Sequence, residues 1–158
     1  MRVDFDSPAV QGIRASGLKF QVVQTEIPSG PEESAQLQGI ALAQLLRTIV
    51  VRLGENDYVF VLVPGGRQID WPKLRALLGT RRISLPDKDE AKQVTGYDRG
   101  AITPFGATRA WPVVADAAVA AAGLVAIGAG ARGANFHVDA RGLLKTLDAR
   151  VADVTKPG

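Results

Sequence analysis

The sequence contains no cysteine, and this absence excludes several kinds of chemistry at once. Without thiols the chain has no disulfide, no thiolate metal site and no cysteine nucleophile. A single histidine, His137, excludes a metal site built from several histidines and leaves little material for a histidine-based catalytic relay. We therefore expect no metal and no cofactor. A reducing, cytoplasmic compartment fits the missing cysteines.

Long hydrophobic runs are also lacking. The longest apolar stretch, residues 117–131, has fifteen residues and falls short of the ~20 that a membrane helix needs. Residues 1–6 carry two acidic side chains and no apolar run of the kind found in signal peptides. The sequence therefore predicts a protein without a membrane partner.

Size and composition predict one domain that covers residues 1–158. The hydrophobic fraction of 46% and the charged fraction of 22% are typical of a globular protein and exclude global disorder. The net charge of +3 and the sequence pI of about 9.5 are mildly basic. This charge is compatible with a polyanionic partner without requiring one.

Helix signals stand out in the first third of the chain. Ser7 precedes a proline and is a candidate N-cap for a helix that ends at Gly17. Ser29 and Glu32 have the spacing of a capping box for a helix that ends near Gly39. Four apolar residues at helical spacing then predict a further helix. These residues are Leu42, Leu45, Leu46 and Ile49.

Strand signals follow directly. Residues 48–53 and 58–63 are rich in β-branched and aromatic side chains and are joined by Gly54-Glu55-Asn56-Asp57, which predicts a hairpin. Both runs are nearly all apolar, so we expect this sheet to be covered on both faces. Further strands are predicted at residues 111–114, 124–127, 135–138 and 151–154.

Between and after these strands, cap residues predict more helices. Asp70 and Gly79 bound one of them, Asp87 and Glu90 have capping-box spacing for the next, and Gly96 ends it. A late helix contains Leu143, Leu144 and Leu147. Because hairpins and helices are mixed along the chain, we predict an α+β fold with a mixed sheet.

The glycine-rich string from Gly128 to Gly133 matches the pattern G-x-G-x-x-G. In a dinucleotide-binding fold this pattern opens a helix, but residues 134–138 alternate like a strand, and only 25 residues follow Gly133. Two interpretations stay open. The string is a tight turn between two strands, or its backbone N–H groups hold a carbonyl oxygen, an oxyanion or a phosphate.

The segment T-G-Y-D-R-G-A-I-T-P-F-G, residues 95–106, contains three glycines and a proline in twelve residues. Such residues impose an unusual backbone path, which is typical either of a functional loop or of a plain connector. His137 lies on a short predicted strand, and a hydrogen-bonded or surface histidine is the favoured interpretation over a catalytic one. A set of basic residues forms a solvated face or contacts phosphate. These are Lys73, Arg75, Arg81, Arg82 and Lys92.

Three segments together resemble one family. They are L-R-T-I-V-V at residues 46–51, the segment 95–106 and the glycine string 128–133. Their order and spacing are similar to the YbaK family, the editing domain associated with prolyl-tRNA synthetase. The pattern T-G-Y-x-x-G-x-x-x-P-x-G is the most specific part. The resemblance implies a mixed, barrel-like sheet flanked by helices. It also implies hydrolysis of the ester that joins a wrong amino acid to tRNA.

The resemblance also implies residue roles. The family has an important lysine where this chain has Arg47, whose guanidinium keeps the charge but is planar and cannot act as a base. The late turn often begins with serine, and here it begins with Gly128. Asn135 stands in place of an aspartate of the cysteine-specific members, and Ala101 in place of a common glycine.

We therefore expect a free-standing trans-editing deacylase with mischarged tRNA as its partner, and an aminoacyl-tRNA synthetase as a further candidate partner. Backbone N–H groups of the turn would stabilise the oxyanion, and Arg47 would anchor a phosphate, the ester carbonyl or the terminal ribose. A bound water or a substrate group would be the nucleophile, and residues 100–106 would wall the amino-acid pocket. The predicted catalytic residues are Arg47, Gly128 and Gly130, and the predicted substrate-binding residues are Thr48, Gly100, Ile102, Pro104, Gly133 and Asn135.

Two alternatives accompany this hypothesis. In the first alternative, the chain is a non-catalytic module that binds aminoacyl-tRNA, RNA or a small ligand. In the second, Arg47 is an ion-paired or surface residue without a role in the site. If the turn acts through its N–H groups, Gly130→Val should abolish activity in a protein that stays folded. The sequence leaves open the amino acid, the tRNA, the synthetase and the oligomeric state.

Overall fold

A computed structural model describes residues 6–158. Residues 1–5, which belong to the predicted domain and to the stretch where no signal peptide is expected, lie outside the described residues. Within residues 6–158, none of the helices has both the length and the apolar character needed to cross a membrane.

Helices and strands alternate irregularly along the chain. The helices are α1 Pro8–Ser16, α2 Pro31–Gln38, α3 Trp71–Leu78, α4 Lys88–Thr95 and α5 Ala140–Thr146. The strands are β1 Gln21–Gln24, β2 Leu46–Gly54, β3 Asp57–Pro64, β4 Arg67–Ile69, β5 Val113–Asp116, β6 Leu124–Gly128, β7 Ala134–Asp139, β8 Arg150–Ala152 and β9 Thr155–Pro157. Short 3₁₀ turns occupy Leu42–Gln44 and Ala117–Ala121.

The strands form a mixed arrangement. One sheet has the order β2-β3-β5-β8, in which β2 and β3 are an antiparallel hairpin and the other pairs are parallel. A second, antiparallel sheet has the order β1-β7-β6, and β4 pairs with β9. A single bridge from Leu45 to Ala126 brings the start of β2 against β6. The α+β prediction is confirmed. The described strands form no closed barrel, so the barrel-like detail stays a prediction.

The hairpin strand β3 lies in the middle of the core. Phe60 and Leu62 face one cluster of buried residues, whereas Val59, Val61 and Val63 face another. All five are at most 2% exposed. The prediction that this sheet is covered on both faces is therefore confirmed. β2 pairs with β3 along its length and is positioned by it.

The predicted helix over residues 42–49 is wrong. Leu42–Gln44 is only a 3₁₀ turn, and β2 begins at Leu46. The reason is that residues four apart share a face in a helix and in a strand alike, so the pair Leu45 and Ile49 satisfies both periods. The β-branched run that follows, together with pairing to β3, favours the strand.

The predicted capping box at Ser29 is also wrong. The N-cap of α2 is Gly30, which makes no side-chain cap. Ser29 lies one residue earlier, and its N–H and hydroxyl bond the Glu33 carboxylate at 3.1 and 3.2 Å. The predicted end of this helix at Gly39 is confirmed.

Three other predicted caps are confirmed. Ser7, Asp70 and Asp87 each accept a hydrogen bond from the N–H group three residues later, at the starts of α1, α3 and α4. Glu90 does not complete a capping box, because its carboxylate instead accepts a hydrogen bond from the Tyr58 hydroxyl.

Candidate active site

A cavity of about 590 Å³ lies where the start of β2 approaches the turn between β6 and β7. This volume is within the usual range for a small-molecule site. Its walls come from segments that are far apart in the sequence. Seven of the nine predicted site residues line it: Arg47, Thr48, Gly100, Ile102, Gly128, Gly133 and Asn135. Pro104 and Gly130 are not part of the lining.

The first residues of β2 form one wall. Leu45 fixes their position, because it bridges to Ala126 and its carbonyl accepts a hydrogen bond from the Gly65 N–H at 2.8 Å. Arg47 is exposed at the edge of the cavity, and its Nη2 donates to the Arg67 carbonyl at 3.2 Å. Arg47 takes part in none of the ion pairs found among residues 6–158.

Thr48 follows Arg47 and points to the opposite face of the strand. Its Oγ1 is buried without a hydrogen-bond partner, and no other side-chain polar atom of the described residues is in that state. Leaving a buried hydroxyl unpaired costs about 1–3 kcal/mol. Thr48 also lines the cavity, so this unpaired hydroxyl lies beside a candidate ligand site.

The glycine string forms a turn between two strands, as one of the two interpretations predicted. β6 ends at Gly128 and β7 begins at Ala134, so no helix follows as a dinucleotide site would require. The turn is closed by hydrogen bonds from the Ala129 N–H to the Ala134 carbonyl at 3.1 Å and from the Ala134 N–H to the Ala131 carbonyl at 3.2 Å. The N–H groups of residues 130–133 are not donors in either bond.

Two glycines of this turn are needed for different reasons. Gly128 allows a close approach, because a Cβ there would lie 3.2 Å from the Ile102 carbonyl oxygen. Gly130 has φ +87°, and a Cβ there would lie 2.9 Å from Cε1 of Tyr97 and 3.1 Å from Cβ of Ala9. Gly130 therefore faces packed side chains.

Residues 95–106 form a wall that packs against the glycine turn, and they follow the irregular path that their composition predicted. Thr95 and Tyr97 anchor the loop: the Tyr97 N–H donates to Thr95 Oγ1 at 3.1 Å, and the Tyr97 hydroxyl donates to the Phe105 carbonyl at 2.6 Å. Burial raises the pKa of Tyr97 to about 12, so this hydroxyl stays protonated and donating at neutral pH. The anchored loop presents Gly100 and Ile102 to the cavity.

The charge around the cavity has one sign. Arg47, Arg99 and Arg132 line it and are exposed, and no aspartate or glutamate is among its lining residues. Arg99 donates to the Pro86 carbonyl, which joins two of the walls. A cluster of cations without acids attracts an anionic ligand such as a phosphate. Arg99 and Arg132 were not among the residues predicted from the sequence, although both lie inside the motif segments.

The other basic residues behave differently. Lys73 pairs with Asp153 at 2.8 Å and Lys92 pairs with Asp98 at 3.3 Å, and neither lysine lines the cavity. These pairs fit the interpretation of a solvated face.

Two exposed apolar side chains also belong to the cavity lining. Ile27 is 58% exposed and Leu85 is 55% exposed, and both belong to the lining. Large apolar side chains at such exposure are candidates for ligand contact. Sequence patterns gave no signal for them, because each stands alone in a polar loop.

A hydrogen-bonded series of polar side chains runs from β7 to α2 and ends at the cavity. His137 Nε2 lies 2.9 Å from Gln38 Oε1, and Gln38 Nε2 donates to the hydroxyl of Ser34 at 2.9 Å. Ser34 lines the cavity, whereas His137 does not. Burial lowers the pKa of His137, which keeps the imidazole neutral at pH 7. The prediction of a hydrogen-bonded histidine is confirmed.

Comparison with known proteins gives a consistent result. The model of the family described as aminoacyl-tRNA editing domain matches residues 28–146. EbsC of Enterococcus faecalis (strain ATCC 700802 / V583), named as a candidate Cys-tRNA(Pro)/Cys-tRNA(Cys) deacylase, is 21% identical over 137 residues, which are 87% of this chain and 84% of that protein. The multifunctional Ser/Thr-tRNA deacylase ProXp-y of Escherichia coli (strain K12) is 31% identical over 103 residues, 63% of this chain and 62% of the relative. A crystal structure described as a candidate trans-editing enzyme for prolyl-tRNA synthetase superposes with a TM-score of 0.81 at 25% identity and covers 95% of this chain and 98% of its own.

Proposed function

Because this chain belongs to the aminoacyl-tRNA editing domain family, we propose that it is a trans-acting aminoacyl-tRNA deacylase that removes a wrongly attached amino acid from tRNA. One observation carries the proposal: a cavity that combines an unpartnered buried hydroxyl, a glycine turn and three arginines without an acid. Such a cavity fits a ligand that has a polar, uncharged reacting group attached to the end of a polyanionic nucleic acid. The match over most of EbsC supports a protein that acts apart from a synthetase.

The reaction is hydrolysis of an ester. A water oxygen bonds to the carboxyl carbon of the amino acid, the bond from that carbon to the ribose oxygen breaks, and a proton passes to the ribose oxygen. The cavity supplies no carboxylate as a base, so we assign the activation of the water to a group of the substrate. Editing of this kind is needed because one methylene gives a synthetase only about 1–3 kcal/mol of discrimination.

We assign oxyanion stabilisation to the turn from Gly128 to Gly133. Its amides at residues 131–133, which line the cavity, do not take part in the two hydrogen bonds that close the turn. Amide donors held in a rigid turn stabilise developing negative charge without reorganising. Thr48, on the neighbouring strand, supplies a hydroxyl for a further oxygen of the ester.

We assign anchoring of the terminal nucleotide to the arginines. Arg47 on β2 and Arg132 on the turn are exposed and line the cavity. The exposed Ile27 and Leu85 offer apolar contact to the terminal base or ribose. In this arrangement the phosphates stay outside and the ester points inward.

The test is release of the amino acid from a panel of mischarged tRNAs. The wild-type protein should hydrolyse at least one of them, and Arg47→Ala should lower kcat/KM at least tenfold, which is about 1.4 kcal/mol. The matched control is Arg141→Ala, since Arg141 is exposed on α5 and does not line the cavity. Equal losses in both variants would contradict the assignment of Arg47.

A second candidate function is a binding module without catalysis. It is favoured by the Arg47 guanidinium, which cannot accept a proton and donates to the Arg67 carbonyl. In that case tRNA binds, with an affinity that falls steeply as salt rises, but no amino acid is released. If the protein shows no release of an amino acid and no salt-dependent binding of tRNA, both functions are refuted.

A further inference from the structure

The hydrogen-bonded chain of Ser34, Gln38 and His137 is unusual because it is buried and ends at the cavity. Ser34 is 8% exposed and Gln38 is 9% exposed, so water is a poor substitute partner for either side chain. Buried polar groups of this kind are costly unless each one is paired. One member of the chain, Ser34, is the end that reaches the cavity wall.

The direction of this chain follows from its chemistry. Gln38 donates from Nε2 to Ser34 Oγ, so its carbonyl Oε1 is the atom that faces His137. A carbonyl oxygen only accepts, and His137 Nε2 must therefore carry a proton. Each donor in the chain points away from His137 and toward the cavity. The hydroxyl hydrogen of Ser34 is then left for an acceptor beyond the chain.

The secondary structure places Ser34 beside the cavity. Ser34 and Gln38 are four residues apart on α2 and share a helix face. Asn135 and His137 are two residues apart on β7 and share a strand face. Because Gln38 contacts His137, Ser34 lies along the same interface, and both Ser34 and Asn135 line the cavity.

We propose that Ser34 is a substrate-binding residue whose hydroxyl donates a hydrogen bond to an oxygen of the bound aminoacyl ester, with Gln38 and His137 as positioning residues. The inference rests on the proposed deacylase function. The acceptor is either an oxygen that all aminoacyl esters share or an oxygen of the amino-acid side chain. The cavity offers no carboxylate that would compete for the Ser34 proton.

The first test does not depend on activity. His137 is the only histidine, so its ring nitrogens and protons are assigned without ambiguity by ¹⁵N NMR. We expect the neutral ring to carry its proton on Nε2, with a slowly exchanging Nε2–H signal that disappears in Gln38→Ala. A proton on Nδ1 would reverse the chain and overturn the proposal, whatever tRNA the protein binds.

The second test measures kcat/KM on tRNA charged with serine and with alanine. Ser34→Ala should lower it by about fivefold, the effect of one hydrogen bond. Gln38→Glu keeps the shape but replaces the donor with an acceptor, so the Ser34 hydroxyl turns to the new carboxylate and a similar loss follows. A purely structural Gln38 would show no such loss when folding is intact.

The pattern of losses identifies the acceptor. An equal loss with both substrates assigns it to an oxygen common to all aminoacyl esters, and a loss confined to serine assigns it to the side chain. Ser16→Ala, an exposed helical serine outside the cavity, is the control. Unchanged kcat/KM in Ser34→Ala, with an active wild-type protein, overturns the proposal. A wild-type protein that is inactive on the whole panel of mischarged tRNAs refutes the deacylase function instead, and the NMR result still decides the direction of the chain.

Discussion

Replacing Thr48 by valine should stabilise the free protein and weaken the reaction. Valine has nearly the same shape as threonine and removes only the hydroxyl, whose Oγ1 is buried without a partner. Among residues 6–158, no buried side-chain polar atom is then left without a partner. Stability and activity should therefore move in opposite directions.

The magnitude follows from the cost of that atom. An unsatisfied buried hydroxyl costs about 1–3 kcal/mol, and we take the lower end because the Thr48 residue as a whole is only half-buried. A gain of about 1 kcal/mol in the free energy of unfolding raises Tm by about 2–4 °C in a domain of this size. The lost hydrogen bond to the substrate should lower kcat/KM by about threefold to tenfold.

The chain contains a matched control for this substitution. Thr95 is fully buried, but its Oγ1 donates to the Ala91 carbonyl at 2.8 Å and accepts from the Tyr97 N–H at 3.1 Å. Thr95→Val should destabilise the protein, since it leaves buried backbone groups unpaired. The same chemical change is thus expected to have opposite signs at Thr48 and at Thr95.

Thermal unfolding of both variants, together with deacylation by Thr48→Val, tests this reasoning. A drop in Tm for Thr48→Val as large as that for Thr95→Val would show that the Thr48 hydroxyl is already paired. Unchanged deacylation in a stabilised Thr48→Val would remove this hydroxyl from the site.

Three further variants have defined outcomes. Gly130→Val should lower Tm, because a side chain at φ +87° is strained by roughly 1–3 kcal/mol and contacts Tyr97. Circular dichroism melting measures this change. Tyr97→Phe should lower the free energy of unfolding in urea by about 1–2 kcal/mol, because it leaves the Phe105 carbonyl without its donor. Burial lowers the pKa of His137 in the folded state, so the unfolded chain takes up the proton first as pH falls through about 6.5. The protein should lose more Tm between pH 7.5 and pH 5.5 than His137→Gln does.

Local signals predicted much of the fold. The hairpin of β2 and β3, the caps at Ser7, Asp70 and Asp87, and the glycine stops all depend on residues within a few positions of one another. The predicted helix over residues 42–49 was wrong because its apolar spacing satisfies two periods. The three-residue strands β4 and β9 were missed, since their pairing joins positions nearly ninety residues apart and each is too short to show a pattern.

The site was predictable where its residues lie in the motifs. Thr48, Gly100 and Gly128 come from three separate segments, and the fold brings them to one cavity. Motif membership does not tell which side a residue faces, and Gly130 faces the packed interior. The contact between Gln38 and His137 spans 99 positions, so no local pattern could reveal it.

The separate origin of the cavity walls has a consequence for how the protein acquires activity. The walls include residues near 30, 46, 85, 100 and 130, so most of the contacts that close the cavity are non-local. Non-local contacts form late and slowly in folding. On a ribosome, residues 128–135 are made after the residues of every other wall. A nascent chain that ends before Gly128 therefore lacks the wall that carries the glycine turn, and the cavity is complete only when this segment has been made and has folded.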